Sequence, residues 1–174
     1  GLVLKETRYR EADRILTILT PKLGVITAMA ANSLRLKSKL FSACGLFCYS
    51  EFAITLGRKT NFIDSAAVSK VFHGLSKTVE GTALAAYLSE LTITLAPEPP
   101  ESADCLRLLL NTLHLLCKGT KPLVQIKAVF ELRALSISGY MPNILACANC
   151  GTYETPVMYF DVDGGCIYCE NCPK

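Results

Sequence analysis

The chain has 174 residues, of which 51% are hydrophobic and 19% are charged, with a net charge of +3. This composition is typical of a globular domain and excludes an intrinsically disordered chain. Apolar runs stop well short of the ~20 residues that cross a bilayer, so no membrane partner is predicted. No secretion signal opens the sequence. It begins without Met, and we expect both ends to be incomplete.

Positive charge is concentrated in the first third of the chain. Residues 1–60 contain ten Lys or Arg and four acids, a net charge of +6, so the remainder carries −3. This distribution favours a surface for a polyanion, with an ordinary solvated basic face as the alternative. Tyr9 and Tyr49 lie in the same third and are candidates to stack bases, with packing inside the fold as the alternative.

The first 64 residues are predicted to form short strands rich in β-branched side chains. Pro21 to Gly24 has the chemistry of a turn between two of them. A long strand is predicted over 46–56, with Phe52, Ile54 and Leu56 on one face. A fifth strand is predicted over 61–64. Five short strands in this length favour a small closed barrel of the OB type.

Leucines alternate with cations in the segment 34–40. In an extended chain this alternation places Arg35, Lys37 and Lys39 on one side, where they would neutralise successive phosphates. The candidate DNA-binding residues are Arg14, Lys22, Arg35, Lys37 and Lys39.

After Asp64 the apolar spacing changes to that of helices. We predict helices over about 65–77 and 81–95, a third from Ser102, and a fourth from Pro122 to Gly139. The side chains predicted to face the core are Leu84, Leu88, Leu91, Leu95, Leu106, Leu109, Leu110, Leu113, Leu116, Val129, Leu132 and Leu135, with Ile126 nearby.

Five of the nine cysteines lie at the end of the chain. Cys147 and Cys150 form one Cys-x-x-Cys pair, and the second is Cys166/Cys169 after 15 residues or Cys169/Cys172 after 18. Both spacings match four-cysteine zinc sites, and spacing alone does not choose between them. Disulfides or a dithiol redox site are the alternatives. The other four cysteines lie in apolar runs, which suits a reducing cytoplasm.

A closed four-sulfur site holds zinc as a structural ion, because it leaves no coordination position open. The sequence contains no paired acids, no Ser/His/Asp set and no phosphate-binding glycine loop, so no enzyme is predicted. The predicted fold class is α+β, with a five-stranded OB-type barrel followed by a helical bundle that carries a four-cysteine zinc module.

The order of these parts resembles the RecO family of bacterial recombination mediators. The segments that carry the likeness are Tyr9-Arg-Glu-Ala-Asp-Arg-Ile-Leu-Thr17, Thr20-Pro-Lys-Leu-Gly-Val-Ile26, Leu36-Lys-Ser-Lys-Leu40, Phe130-Glu-Leu-Arg-Ala-Leu135, Gly139-Tyr-Met-Pro-Asn143 and Cys147-Ala-Asn-Cys-Gly151. The family pattern of two glycines, two residues and a Cys-x-x-Cys implies the ligands Cys147, Cys150, Cys169 and Cys172 for one structural Zn²⁺.

The resemblance implies an OB domain over 1–64 that binds single- and double-stranded DNA, a helical domain over 65–146, and a zinc module over 147–174 packed on the helical domain. It also implies strand annealing and help in loading recombinase onto DNA coated by single-strand-binding protein. The implied protein partners are RecR and single-strand-binding protein, and the implied location is the bacterial cytoplasm, at the nucleoid.

One departure from the family pattern lies after Ala30. Of the basic run that the family usually has there, this sequence keeps only Arg35 ahead of Lys37. The departure favours the alternative function, a protein-interaction scaffold of a repair complex that binds little DNA itself.

Overall fold

Five strands near the start of the chain close into a barrel in the computed structural model, which describes residues 1–172. The strands are β1 (Leu2–Tyr9), β2 (Asp13–Thr20), β3 (Gly24–Ala30), β4 (Cys48–Thr55) and β5 (Asn61–Val71). Their order around the barrel is β1-β2-β3-β5-β4, with β3 and β5 parallel and the other pairs antiparallel. The predicted α+β class and five-stranded barrel are confirmed.

Strand β2 shows how the alternation of side chains builds the barrel. Leu16 and Ile18 are buried inside, whereas Ile15 and Thr17, which alternate with them, lie on the outer face and are half-buried. The barrel interior consists of Val3, Leu16, Ile18, Ala28, Ala30, Leu40, Cys44 and Ile63. On β4, Phe52 and Ile54 pack against this interior as predicted, but Leu56 lies beyond the strand and is exposed.

Strand β5 is longer than predicted, and the helix expected over 65–77 does not form. The strand continues through Val71 by pairing with β4, and a 3₁₀-helix follows over His73–Lys77. The ladder of hydrogen bonds to β4 therefore outweighs the local helix-capping preference of Asp64 and Ser65. The predicted domain boundary after residue 64 falls inside this strand, and we propose to place it after residue 72 instead.

The segment between β3 and β4 is not extended as the alternation predicted. It forms successive turns, in which Arg35 N–H donates to Asn32 O and Ser38 N–H donates to Arg35 O, and then the short helix α1 (Leu40–Ala43). Leu36 is 84% exposed. Leu40, in contrast, is buried in the end of the barrel. Turn geometry thus places leucines of this segment in different environments.

Three helices form the bundle: α2 (Val79–Leu95), α3 (Ser102–Lys118) and α4 (Leu123–Ile137). The Thr78 hydroxyl accepts a hydrogen bond from Gly81 N–H at the start of α2. The predicted leucines of α2 and α3 are buried or packed on the core. The prediction for α4 was largely wrong: Ile126, Phe130 and Ala134 are its buried residues, whereas Val129 and Leu132 are exposed. Apolar residues surround α4, so their spacing did not select one face.

The barrel and the helices share one apolar core. Leu2, Leu4, Leu19 and Phe47 of the barrel domain belong to the same cluster as the leucines of α3. At this contact the Ser102 hydroxyl donates to Pro21 O across 3.4 Å. The barrel is therefore held against the bundle at the end where β2 and β3 meet in their turn.

The last part of the described chain is a small sheet of β6 (Asn143–Cys147), β7 (Met158–Asp161) and β8 (Cys166–Cys169), in the order β6-β8-β7. Within residues 1–172 these strands make their extensive contacts with one another. The same range holds no helix with both the length and the apolar character needed to cross a membrane.

Candidate metal centre and nucleic-acid interface

Four cysteine sulfurs converge at the end of the small sheet. Cys147 ends β6, Cys169 ends β8, and Cys150 and Cys172 lie in the turns that follow each strand. Their Sγ atoms all lie within 4.8 Å of one another, and Cys150 Sγ is 3.6 Å from Cys169 Sγ. Zn–S bonds of about 2.3 Å in a tetrahedron place sulfurs about 3.8 Å apart. The spacing of these four sulfurs therefore fits a zinc ion.

A tight turn brings together the two sulfurs of each Cys-x-x-Cys segment. Gly151 N–H donates to Cys147 O, and Cys172 N–H donates to Cys169 O, so both Cys-x-x-Cys segments form tight turns. Gly151 has φ +73°, a conformation that costs glycine little. The two turns present both sulfurs of each segment to a common point.

The four thiols have different affinities for protons. Backbone N–H groups of Cys150 and Cys169 donate to the Cys147 sulfur and lower its pKa to about 6. The neighbouring sulfur of Cys150 raises the pKa of Cys172 to about 12. Metal binding requires thiolates, so an ion that enters this cluster displaces protons from it.

Cys166 lies outside this group of four. It begins β8 and pairs with Asp161 of β7, three residues from Cys169 and therefore on the opposite face of the sheet. Of the two pairings that the spacing left open, Cys169/Cys172 joins the cluster and Cys166/Cys169 does not. The four clustered sulfurs are those of Cys147, Cys150, Cys169 and Cys172.

The predicted rim of three cations is exposed in the structure. Arg35, Lys37 and Lys39 all lie on the surface of the turns before α1. Within residues 1–172 none of them forms an ion pair with a carboxylate. Leu34 N–H donates to Ala12 O across 2.9 Å, so the rim is attached to the turn between β1 and β2.

Arg14, one of the predicted DNA-binding residues, is buried at the end of the barrel. Its side chain is 8% exposed, and its Nη1 lies 3.4 Å from a carboxylate oxygen of Glu6. Because β2 directs Arg14 into the end of the barrel, its cation is used inside the fold. We therefore propose an interface that does not include Arg14.

Lys22 is exposed but lies away from the rim. It occupies the turn between β2 and β3, next to Pro21, whose carbonyl faces Ser102 of the helices. The rim lies at the other end of these strands, beside Ala12 and Ala30. The structure therefore brings Arg35, Lys37 and Lys39 together and separates Lys22 from them.

A cationic groove that the sequence reasoning missed runs along the outer face of β2 and β3. Its volume is about 750 Å³. It is bordered by the aromatic side chains of Tyr9 and Phe62 and by the cations Arg10, Arg58 and Lys59. Both aromatic side chains are about 40% exposed. The strand 2–3 face and the loops after strands 1 and 4 are where OB barrels bind oligonucleotides.

A signal for this groove was present in the sequence. Arg58 and Lys59 are adjacent cations between Gly57 and Thr60, and Arg8 and Arg10 flank Tyr9. These residues are far apart in the sequence, and only closure of the barrel brings them to one face. Tyr9, with the Arg10 guanidinium 5.1 Å from its ring centroid, lies in the groove. Tyr49 instead packs against the core.

Comparisons with known proteins match both parts of the chain. The family model described as "Recombination protein O N terminal" matches residues 1–72, and that described as "Recombination protein O C terminal" matches residues 77–174.

Relatives that carry the name "DNA repair protein RecO" match over nearly the whole chain. The protein of Dehalococcoides mccartyi strain CBDB1 is 34% identical over 173 residues, covering 99% of this chain and 68% of that protein. The protein of Acetivibrio thermocellus is 34% identical, with coverage of 99% and 68%. That of Caldicellulosiruptor bescii is 37% identical over 177 residues, with coverage of 100% and 71%. The chain therefore belongs to the RecO family of recombinational DNA repair proteins.

Proposed function

We propose that the chain binds single- and double-stranded DNA through its barrel, anneals complementary strands, and helps load recombinase onto DNA coated by single-strand-binding protein. None of these steps requires the protein to make or break a covalent bond. The observation that carries the proposal is the groove in which exposed aromatic rings lie beside Arg10, Arg58 and Lys59.

The groove and the rim adjoin each other. Arg10 lies in the turn between β1 and β2, and Ala12 of the same turn holds the rim through the hydrogen bond from Leu34. Asn61, at the groove, donates from its side-chain amide to Thr27 O and fixes the loop that carries Arg58 and Lys59 beside β3. A strand that continues from the groove toward Arg35 would pass this turn, which also carries the exposed carboxylate of Glu11.

The mechanism rests on charge and stacking. Each phosphate neutralised by Lys or Arg releases condensed counterions, which favours binding at low salt. Aromatic rings stack on bases of any sequence, which suits a protein that meets arbitrary DNA. Two neighbouring cationic surfaces lower the repulsion between two strands and hold them close enough to pair.

Salt-dependent binding of labelled single-stranded DNA, followed by fluorescence anisotropy, tests this proposal. Each of two triple variants, Arg10/Arg58/Lys59→Ala and Arg35/Lys37/Lys39→Ala, should lower the slope of log affinity against log salt by about two, since single strands give about 0.7 per phosphate. The matched control is Lys77/Lys118/Lys121→Ala, which removes the same charge from exposed positions on the helical side. A slope that the groove variant leaves unchanged excludes the groove.

We also propose RecR and single-strand-binding protein as protein partners, on the basis of family membership. The alternative function, a scaffold that binds little DNA, is favoured by the exposed apolar side chains of α4, where Val124 is 79% and Leu132 is 46% exposed. Affinity capture of each purified partner, with and without nuclease treatment, separates direct protein contact from bridging by DNA.

For the four-cysteine cluster we propose one structural Zn²⁺. The ion would join the ends of β6 and β8, which otherwise share few ladder hydrogen bonds because their register is irregular between Asn143 and Cys147. All four positions around the ion would be taken by sulfur, so it would brace the sheet and take no part in chemistry.

A further inference from the structure

Strand β7 forms a free edge of the small sheet. In the order β6-β8-β7, one side of Met158–Asp161 has no neighbouring strand among the described residues. Its sequence is Met-Tyr-Phe-Asp, a short strand that ends in a carboxylate and contains neither the Lys nor the Pro that commonly protects an edge. Ile167 of β8 accepts a hydrogen bond from Ala148 on the β6 side, so its partner Phe160 directs its main-chain groups away from β8. The outward N–H and C=O groups of Met158 and Phe160 are therefore open to pairing with another extended chain.

Aromatic side chains lie on both faces of this edge. Tyr159 is paired with Tyr168, and Phe160 with Ile167, so Tyr159 and Phe160 lie on opposite faces of the sheet. Tyr159 is 56% exposed and Phe160 is 52% exposed. Other large hydrophobic side chains of this region that are exposed include Leu145, Tyr153, Val157 and Val162. Exposed aromatic side chains on an unpaired strand edge are typical of an interaction site.

The charge of the same region indicates what binds there. Residues 134–172 contain Glu154, Asp161, Asp163 and Glu170 and no Lys or Arg. Zinc held by four thiolates would add a further charge of about −2. Such a surface repels phosphates, and it complements Lys and Arg side chains. The occupant that fits is a cationic protein segment, and nucleic acid does not fit.

We propose that the edge of β7 binds an extended segment of a partner protein in which Lys or Arg alternates with β-branched or aromatic residues. The segment adds to the sheet as a fourth strand through main-chain hydrogen bonds with β7. Its apolar side chains cover Phe160 or Tyr159, and its cations approach Asp163, which follows the strand. This inference does not depend on DNA binding by the barrel, and it gives the scaffold function a defined surface.

A phage-displayed library of random peptides, panned on the zinc-loaded chain and counter-selected on its Phe160→Lys variant, tests the inference. We expect enrichment of basic peptides with alternating apolar residues. A synthetic copy of the most enriched peptide should bind Phe160→Lys at least about tenfold more weakly than the unaltered chain. The matched control is Val79→Lys, since Val79 is also exposed but lies at the start of α2, and it should bind the peptide as the unaltered chain does.

A second variant keeps the test decisive if Phe160→Lys fails to retain its metal. Asp163→Lys reverses one charge outside the strands and should weaken binding of the same basic peptide. Enrichment of acidic peptides, or no enrichment, would overturn the inference. So would binding of the basic peptide by Phe160→Lys and Asp163→Lys that is as tight as binding by the unaltered chain. Loss of single-stranded DNA binding in Phe160→Lys would assign the edge to nucleic acid instead. A concentration-dependent dimer that Phe160→Lys abolishes would assign it to a second copy of the chain.

Discussion

The guanidinium of Arg14 lies over the ring of Phe41, 5.5 Å from its centroid, and donates from Nη1 to the carbonyl of Phe41 across 3.4 Å. Phe41 belongs to α1, which follows the cationic rim, and Arg14 belongs to the barrel. This pair therefore ties the segment that carries Arg35, Lys37 and Lys39 to the barrel end. It explains why a cation in a basic region is directed inward.

Replacing Arg14 should destabilise the fold and disorder the rim. We expect Arg14→Met to lower the free energy of unfolding by about 1–3 kcal/mol, because the Phe41 carbonyl loses a charged donor in a partly buried setting. Glu6 contributes less, since its side chain is 40% exposed. Urea denaturation measures the change, and Arg8→Met, which alters an exposed cation of β1, is the control. A variant of full stability that binds DNA weakly would return Arg14 to the interface.

A second prediction concerns the face of α4 that is buried in the structure. Phe130 is 1% exposed within the core, whereas its neighbour Val129 is 52% exposed. Phe130→Ala should lower the free energy of unfolding by about 3–5 kcal/mol through the cavity it leaves. Val129→Ala should change it by about 0.5 kcal/mol or less. Thermal denaturation of both variants distinguishes this face from the one that the apolar spacing suggested, for which the order of the two effects would be reversed.

The contrast between α3 and α4 shows what the sequence could predict. On α3 the leucines leave a polar face, and the predicted stripe is the one that is buried. On α4 two apolar stripes compete, and only contacts with the other helices decide between them. The same limit applies to the barrel. Its strands followed from β-branched residues and turns, but the groove joins Tyr9 to Lys59 across the sequence, and β5 depends on pairing with β4.

The cysteine cluster shows the opposite case. Spacing left Cys166 and Cys172 as alternatives, because both lie three residues from Cys169. Family likeness favoured Cys172, and the sheet geometry explains the choice, since Cys166 faces away from Cys169 on β8. The Cys-x-x-Cys motif thus predicted a cluster of four sulfurs. Strand alternation on β8 separates Cys166 from that cluster.

The start of α2 offers a third prediction. The Thr78 hydroxyl accepts from Gly81 N–H across 3.1 Å and satisfies one of the free donors of the first turn. Thr78→Ala should therefore lower the free energy of unfolding by about 1 kcal/mol. Thr94→Ala is the control, because the Thr94 hydroxyl donates to Glu90 O within the same helix and satisfies no group at the helix start. If both variants were equally stable in urea denaturation, the cap would contribute nothing.

The cysteines should differ widely in reactivity when the metal is absent. Burial raises the pKa of Cys44 and of Cys105 to about 11, so each is only about 0.1% thiolate at pH 8. Cys150 is exposed, and the Thr152 hydroxyl lowers its pKa. Iodoacetamide at pH 8 should therefore modify Cys150 in the metal-free folded chain long before Cys44 or Cys105. Peptide mapping by mass spectrometry measures the order, and labelling in guanidinium, where all three should react, is the control.

Metal content tests the cluster itself. The chain purified with zinc should hold one ion, and Cys150→Ser should lose it, because three sulfurs remain where four converge. Cys166→Ser is the matched control, since it also removes a thiol from the small sheet but lies outside the group of four. It should retain the full metal content. Zinc should also be released as the pH falls and the thiolates are protonated. Emission spectrometry of the dialysed proteins measures the zinc content in each case. Loss of the ion from Cys166→Ser, with retention by a Cys172→Ser variant, would move the fourth ligand from Cys172 to Cys166.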